Sequence, residues 1–596
     1  MNNTGIEPGP PVEVLPEAAP APPAPREQAV APGPGPETSG GLATSGGQAT
    51  SGAVEAPGRA ETPGLGRFLA RAAAVTAGLT VAGALLGLVR DQAIAHLFGA
   101  SGASDAFLIA WTVPEMAATV LIEDGMALLL VPAFSHALAR RAAADGRKEG
   151  SATEGADDPV RELISATLPR LFALLACAAA LLALGAPWVV GVLAPGLSDP
   201  RLAVECTRLT SVTVLTFGLT GYLSAALRAH RSFLPPAGVY VAYNVGIIGM
   251  TFALHSLWGV RAAAAGVAVG SVLMILTQLP AFARLVPARV RRSGRGARSA
   301  ARRRFAGAAP PLLGATVLAP VVIFVVSRQA QVLVERFLAS SLPAGAISHL
   351  NYAQKVAQMP MVLSLMICTV TFPVVARAMA NGDREKARDR VERDLALAGM
   401  VVLAGTAMVL GYAPQIIEVL FQRGAFDALD TKATADAMRV YALGLLGHSL
   451  VGALSRPYFS AGRPTWFPVF AMATGLLVTT GAGFAMTHRL GVNGIAAANA
   501  IGISTAAMLL LMGLGTRVVT IRVRAVTLSL VRLAGAAAVA GTAGWLAAPL
   551  VSDPLLSVAG GCVLVPVLFL LAGLAFRAPE VVHLLTLIRR RLLHGR

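Results

Sequence analysis

The chain has 596 residues, of which 55% are hydrophobic and only 14% are charged, and its formal net charge is +17. Soluble domains carry roughly a quarter charged residues, so this composition excludes an ordinary soluble protein and indicates a membrane protein. The four cysteines are far apart and form no CxxC pair, so neither a zinc site nor a disulfide framework is expected.

Residues 1–64 differ from the rest of the chain. They are rich in Pro, Gly and Ala, contain seven Glu and two Arg, and have no apolar period. Such a segment cannot bury enough apolar surface to offset its ordering entropy. It predicts a disordered cytoplasmic tail, and a partner-binding segment remains the alternative. The N-terminus lacks the basic and apolar regions of a cleaved signal peptide.

The remainder, residues 65–596, consists of apolar spans between short polar breaks. Spans of ~20 residues suffice to cross a bilayer, and the division predicts about fourteen transmembrane helices. The predicted fold class is therefore an all-α polytopic membrane protein. The predicted limits are 68–89, 105–133, 161–194, 208–229, 237–257, 262–285, 307–328, 347–376, 395–420, 434–459, 466–487, 493–515, 527–549 and 555–576.

Charge in the loops predicts the orientation. The loop between the sixth and seventh spans, residues 284–304, holds nine arginines, and alternate loops are also basic. Because cytoplasmic loops carry the excess of Lys and Arg, both termini are predicted to be cytoplasmic. This asymmetry also accounts for the net positive charge, so no nucleic-acid partner is expected.

A weak internal repeat divides the chain. Residues 259–270 (GVRAAAAGVAVG) resemble residues 491–502 (GVNGIAAANAIG) at an offset of 232. The repeat predicts two six-helix bundles, residues 65–305 and 306–516. Residues 517–596 then form two extra transmembrane helices and a basic cytoplasmic tail. In transporters built from such repeats the substrate site lies between the halves, and access alternates by rocking.

Charged residues within the first two spans are the strongest functional signal. Charges at membrane depth are costly and usually face a cavity or a partner. Simpler roles remain open for two groups: Arg90 and Asp91 could cap the first helix, and Asp105 could cap the second. The charged residues of residues 88–136 are Arg90, Asp91, Asp105, Glu115, Glu123 and Asp124.

The search for catalytic motifs finds no phosphate-binding loop, HExxH or GxSxG. Glu123 and Asp124 are adjacent, and neighbouring residues point to different sides of a helix, so shared acid–base chemistry is not expected. The chain is therefore predicted to be no enzyme and to need no cofactor or metal. Without an ATP site, transport would use an ion gradient, the membrane potential or the substrate gradient.

Eight short segments follow one another in order along residues 68–515. They are GLVRD (87–91), LFGA (97–100), SDAF (104–107), VPAF (131–134), LNYAQKVAQMP (350–360), LFQRGAF (420–426), YALG (441–444) and PYFSA (457–461). In this order they resemble the MurJ (MviN) family of lipid II flippases. The resemblance implies the MOP exporter fold, a V-shaped pair of six-helix bundles, with the last two helices of the chain forming a groove for a polyprenyl tail. It also implies a bacterial plasma membrane.

The resemblance assigns substrate-binding roles to four residues. Arg90 and Lys355 would contact the pyrophosphate, and Asp105 and Glu123 would steer conformational exchange through changing ion pairs. Lys355 stands where the family usually has an arginine, and it could instead snorkel to the membrane surface. Two further family arginines are absent, at Ala84 and at Ala118-Thr119.

Four other residues are predicted to line the cavity: Asp91, Asp124, Glu115 and Arg328. An interfacial ion pair between Arg328 and Glu335 is an alternative for the last of these. A sodium site is not expected, because the predicted seventh, eleventh and twelfth spans contain no Asp or Glu.

Together these features predict a flippase that moves lipid II from the inner to the outer leaflet, with cell-wall synthesis proteins as further partners. The absent arginines keep two alternatives open. One is an exporter of another polyprenyl-linked or amphipathic substrate on the same fold. The other is a transport-inactive paralogue that scaffolds cell-wall synthesis.

Overall fold

The computed structural model describes residues 63–145, 158–285, 315–365, 368, 375, 383–460, 465–517 and 521–594. Throughout these ranges the regular structure is helical, and no strand occurs in them. The all-α prediction is thus confirmed. The predicted tail lies outside the described residues except for its last two positions, and the arginine-rich loop is described only at Arg284 and Leu285.

The described residues of the first half form nine α-helices and one π-helical turn, Thr119–Asp124, between α2 and α3. Its helices are α1 (Pro63–Phe98), α2 (Gly102–Ala118), α3 (Gly125–Asp145), α4 (Pro159–Leu184), α5 (Ala186–Leu193), α6 (Pro200–Thr210), α7 (Val212–Ala229), α8 (Leu234–Trp258) and α9 (Arg261–Leu285).

The described residues of the second half form ten α-helices. They are α10 (Ala315–Ala339), α11 (Ala346–Ala357), α12 (Arg384–Phe421), α13 (Ala428–Ala442), α14 (Leu445–Ser460), α15 (Phe467–Leu490), α16 (Val492–Arg517), α17 (Val523–Ala547), α18 (Pro554–Ala575) and α19 (Pro579–His594).

Among the described residues, eleven helices are long and apolar enough to cross a membrane, or twelve if the bent pair α13 and α14 forms one span. Two predicted spans remain, the seventh and the eighth. They coincide with α10 and α11, each of which adjoins residues outside the described ranges. Every predicted span therefore overlaps a described helix.

Short Asp-Pro sequences start several of these helices. Asp158, Asp199 and Asp553 each accept a hydrogen bond from a backbone N–H of the helix that follows, and a proline occupies the next position. The carboxylate satisfies a donor that the first turn leaves free, and the proline ring already has helical φ. The polar breaks in the sequence are therefore also the helix starts.

The two glycines that begin the repeated segments have the same backbone conformation. Gly259 caps α8 with φ 55° and ψ −138°, and Gly491 caps α15 with φ 56° and ψ −131°. In each half the next helix packs back on its predecessor, α9 on α8 and α16 on α15. The last two transmembrane helices, α17 and α18, pack on each other and on α12.

Two of the span ends that differ from the structure change the position of charged residues. The first span was ended at residue 89, but α1 continues to Phe98, so Arg90 and Asp91 lie inside the helix and do not cap it. The seventh span was ended at residue 328, but α10 continues to Ala339 and includes Glu335. The seventh helix therefore does contain an acidic residue. Buried polar partners satisfy Arg90, Asp91 and Glu335, so neither helix has to end before these residues.

Candidate functional site

Arg90 on α1 is the centre of a buried polar cluster. It is 8% exposed, and its Nε and Nη2 donate to Asp91 Oδ1 at 3.0 and 2.8 Å. Its Nη1 donates to Asn244 Oδ1 on α8 at 3.0 Å. Asn244 in turn donates to the carbonyls of Gly83 and Tyr240. The guanidinium is thus held on three of its nitrogens and joins α1 to α8.

Lys355 on α11 brings the second half of the chain to this cluster. Its Nζ lies 3.4 Å from Asp91 Oδ2 and 3.9 Å from Glu115 Oε1. The Lys355 side chain is 25% exposed and that of Asp91 is 6% exposed. One lysine therefore balances two carboxylates of the first half, which argues against a snorkelling role. The contacts are ion pairs, since Nζ makes no hydrogen bond within the described part of the chain.

Trp111 on α2 lies against both cations. Arg90 Cζ is 4.2 Å and Lys355 Nζ is 4.6 Å from the centroid of the indole ring. A cation within about 6 Å of an aromatic face is attracted by the ring quadrupole. Trp111 is itself buried, so it fixes where the two positive charges sit. Sequence reasoning missed it, because a tryptophan within an apolar span has no signal that separates packing from function.

A cavity of about 230 Å³ adjoins this cluster. Lys355 and Glu115 line it, whereas Arg90 and Asp91 lie behind its wall. The other polar lining residues come mainly from α2, α10, α11, α14 and α16. They are Thr112, Thr119, Arg328, Gln329, Gln331, Glu335, Arg336, Asn351, Gln354, Gln358, His448 and Asn499.

Arg328 lines the cavity, but the alternative pair with Glu335 is not formed. Glu335 instead accepts a hydrogen bond from Tyr441 Oη at 2.5 Å and another from Asn499 Nδ2. These partners lie on α13 and α16, and Glu335 is buried. The reason is geometric: Glu335 is seven residues beyond Arg328, two turns further along α10.

Asp105 lies outside the cavity lining and bonds to the start of α11. Its Oδ2 accepts from the Gly345 N–H at 2.7 Å, and its Oδ1 accepts from the Ser348 N–H at 2.8 Å and from Ser348 Oγ at 2.7 Å. Ser101, not Asp105, caps α2, so the capping alternative was wrong. Asp105 instead satisfies the N-terminus of α11 from the other half of the chain, where a negative charge is favoured.

Further contacts join the halves beside Asp105. The Ala425 N–H donates to the His96 carbonyl at 2.9 Å, and the Ala100 N–H donates to Asp430 at 3.3 Å. We call this set of contacts, made by Asp105, His96 and Ala100 with Gly345, Ser348, Ala425 and Asp430, the seam.

Gly345 allows the close approach at the seam. Its φ is +96°, and a Cβ at this position would lie 2.5 Å from the Ala100 carbonyl oxygen. Any other residue would be strained in this conformation and would also collide with the opposite half. The seam therefore depends on a residue without a side chain.

The remaining predicted positions are described in part. Glu123 and Asp124 lie in the π-helical turn after α2, and their side chains are outside what the structure describes. Where the family arginines are absent, Ala84 is exposed, Ala118 packs against the apolar core and Thr119 lines the cavity.

Solved structures with the same fold define the class. One is an inward-facing multidrug resistance MATE family transporter of the MOP superfamily, with a TM-score of 0.55, 15% identity and coverage of 76% of this chain and 99% of that one. Another is lipid II flippase MurJ in an inward closed conformation, with a TM-score of 0.67, 19% identity and coverage of 86% and 99%. The chain is a polytopic membrane protein with the MOP-type fold.

Sequence comparison gives the family. Residues 94–558 match the family described as lipid II flippase MurJ, and the chain belongs to this family. The lipid II flippase MurJ of Burkholderia cenocepacia is 28% identical over 458 residues, which cover 75% of this chain and 84% of that protein. The probable lipid II flippase MurJ of Rhizobium meliloti is 26% identical over 503 residues, covering 82% and 89%.

Proposed function

We propose that this chain moves lipid II from the cytoplasmic to the outer leaflet of a bacterial plasma membrane by alternating access. The observation that carries the proposal is the cluster of Arg90, Asp91, Glu115 and Lys355. In a member of the MurJ family, it places exchangeable charges beside a cavity at membrane depth. The chain acts as a transporter and catalyses no covalent step.

The diphosphate of the substrate would exchange with the carboxylates. At 3.4 Å and an effective dielectric constant near 20, an ion pair such as that of Lys355 with Asp91 has a Coulomb energy of about 5 kcal/mol. A phosphate oxygen at the same distance offers Lys355 a comparable attraction. Lys355 can therefore turn from Asp91 and Glu115 to the substrate while Asp91 keeps its hydrogen-bonded pair with Arg90.

The seam would form the closed outer gate. Loop charge predicts that α1 begins in the cytoplasm, which puts Phe98, Gly345 and the whole seam at the outer end. A closed outer end leaves the cytoplasmic end for entry of the headgroup. Breaking the bonds of Asp105 to Gly345 and Ser348 would then open the cavity outward, as expected for repeats that rock against each other.

The orientation can be tested with topology reporters. A reporter fused after Arg298 should be active only in the cytoplasm, and one fused after Ala344 only outside. Exposure of position 298 to an impermeant label in intact cells would overturn both the orientation and the direction of transport.

A second function has specific support. With no arginine at Ala84 or Ala118, the cavity has less positive charge than the family pattern implies. This favours export of a related polyprenyl-linked lipid, or a transport-inactive scaffold for cell-wall enzymes. Depletion of the chain followed by a leaflet-accessibility assay for lipid II separates the flippase from these two alternatives. Accumulation of lipid II in the inner leaflet supports the flippase, and an unchanged distribution contradicts it.

A further inference from the structure

Arg328 differs from every other cation at the cavity. Arg90 and Lys355 face Asp91 and Glu115, so two positive charges meet two negative ones. Arg336 donates to the Ile347 carbonyl and to Asn351.

Glu335 is the remaining carboxylate among the described lining residues, and it adjoins Arg336 in the sequence. Assigning Glu335 to Arg336 leaves Arg328 without a matching negative charge. In the described part of the chain no carboxylate lies within ion-pair distance of Arg328. Among the described residues that line the cavity, one unit of positive charge, that of Arg328, is thus in excess.

Arg328 and Lys355 lie at matching distances from one contact between their helices. Arg336 Nη1 donates to the Ile347 carbonyl at 3.0 Å and so ties α10 to α11 near the turn that joins them. From this tie Arg328 lies eight residues back along α10, and Lys355 lies eight residues onward along α11. At 1.5 Å per residue both are about 12 Å from the tie. Both side chains line the same cavity, so the two cations face one space from neighbouring helices.

The two side chains also differ in chemistry. A guanidinium can give two parallel hydrogen bonds to a phosphate, whereas an ammonium is a point charge. The guanidinium nitrogens of Arg90 already donate to Asp91 and Asn244. Arg328 is exposed to the cavity with its fork unoccupied by a carboxylate.

We propose that Arg328 makes the first contact with the anionic diphosphate and supplies the positive charge that Ala84 and Ala118 do not. Glu115 acts as the counter-ion that holds Lys355 until the diphosphate arrives. The inference rests on the proposed function and names the residues that select an anionic lipid at the cavity.

The test is direct binding to the purified full-length chain in nanodiscs, with lipid II, undecaprenyl diphosphate and uncharged undecaprenol as probes. Arg328→Gln should weaken binding of both diphosphate lipids by about tenfold to a hundredfold, the range for a lost charged hydrogen bond. Its affinity for undecaprenol should not change, which also shows that the variant is folded. Arg328→Lys should recover part of the loss. Arg489→Gln removes the same charge from the exposed end of α15 and should have no effect.

Glu115→Gln tests the counter-ion role. It should tighten binding of the diphosphate lipids several-fold, and this gain should disappear when Lys355→Gln is also present, because coupled residues are not additive. Unchanged diphosphate binding in Arg328→Gln, or an equal loss for undecaprenol, would overturn the inference.

Failure of the proposed function gives a different result. A wild-type chain that binds undecaprenyl diphosphate through Arg328 but does not move lipid II between leaflets would contradict the flippase while supporting this role of Arg328.

Discussion

The seam and the cavity cluster both connect the two halves of the chain, but through different interactions. At the seam one carboxylate, Asp105, receives three short hydrogen bonds of 2.7 to 2.8 Å from Gly345 and Ser348. At the cavity Lys355 shares its charge between two carboxylates at 3.4 and 3.9 Å. The seam is directional and depends on close backbone approach, whereas the cavity pairs are loose and can exchange.

This contrast indicates different roles for the two regions: the seam sets the conformational equilibrium, and the cavity cluster responds to the ligand. Hydrogen bonds to a charged group contribute about 1.5–3 kcal/mol each, so the bonds at Asp105 can set which state is populated. Loose ion pairs change partners with little net free energy, so Lys355 and Glu115 can respond to an anionic ligand. A ligand shifts a two-state equilibrium only by its differential affinity for the two states. Substrate binding at the cavity would therefore shift the equilibrium toward the state in which the hydrogen bonds of the seam are broken.

The largest expected effect comes from removing a cation of the cluster. Arg90→Ala and Lys355→Ala should each abolish transport. Arg90→Ala leaves the buried Asp91 without its hydrogen-bonded partner, at a cost of about 3–5 kcal/mol for a broken buried pair. Lys355→Ala removes the cation that would exchange between the carboxylates and the substrate. Arg90→Lys should also be impaired, since it cannot hold Asp91 and Asn244 together. The measurement is rescue of cells depleted of their lipid II flippase, with membrane-fraction blots to show insertion. Arg489→Gln is the control, and full rescue by Arg90→Ala would contradict the cavity mechanism.

The next largest effect should come from the seam. Gly345→Val introduces a side chain at φ +96° against the Ala100 carbonyl, so it should hold the seam open and reduce transport at least tenfold. A disulfide between Gly102→Cys and Ala344→Cys reports closure, because the two Cβ atoms would lie 3.6 Å apart. In a background without native cysteines, Gly345→Val should lower cross-linking several-fold.

Gly249→Val is the matched control for the seam variant. A Cβ at Gly249 meets nothing within 4 Å, so the same added bulk falls on an exposed position of α8. Equal cross-linking in Gly345→Val and Gly249→Val would show that the seam does not depend on the glycine.

A smaller effect is expected from Asp105→Asn. The amide keeps one acceptor but turns its NH₂ group toward a backbone N–H, so at least one of the bonds to Gly345 or Ser348 is lost. Loss of one charged hydrogen bond corresponds to about a tenfold shift toward the open state. The same cross-linking pair measures it, and Asp199→Asn, at an exposed helix cap, serves as the control. If Asp105→Asn cross-links like the wild type, the carboxylate does not determine closure.

Sequence alone predicted the helices well and the site in part. Hydropathy located each span, since burial in a bilayer imposes a length and a composition. The ends at α1 and α10 were wrong because the polar stretches that begin at Arg90 and at Arg328 were treated as breaks, although buried partners from distant helices satisfy Arg90 and Glu335. Those partners, Asn244 and Tyr441, cannot be inferred from a local pattern.

The function of Asp105 shows the same limit. The sequence marks it as an acidic residue at the start of a helix, which suggests a cap for that helix. Its partners are instead the N-terminus of α11, 240 residues later. Only a fold that brings α2 and α11 together reveals that the carboxylate bridges the halves.

The smallest predicted effect comes from adding positive charge to the cavity at Ala118 or Thr119, the adjacent positions where a family arginine is absent. Thr119 lines the cavity, whereas Ala118 is packed against the core. Thr119→Arg should therefore add an accessible charge one helical turn from Glu115. It should tighten binding of undecaprenyl diphosphate several-fold, both by direct attraction and by drawing Glu115 away from Lys355.

Ala118→Arg should instead destabilise the protein by about 1–3 kcal/mol, the usual cost of overpacking, without improving binding. Thermal unfolding in detergent and lipid binding on the same samples separate the two effects. If both variants tighten binding equally, positive charge anywhere near α2 is sufficient. If neither does, the cavity is not limited by positive charge, and its selectivity lies in the cations it already holds.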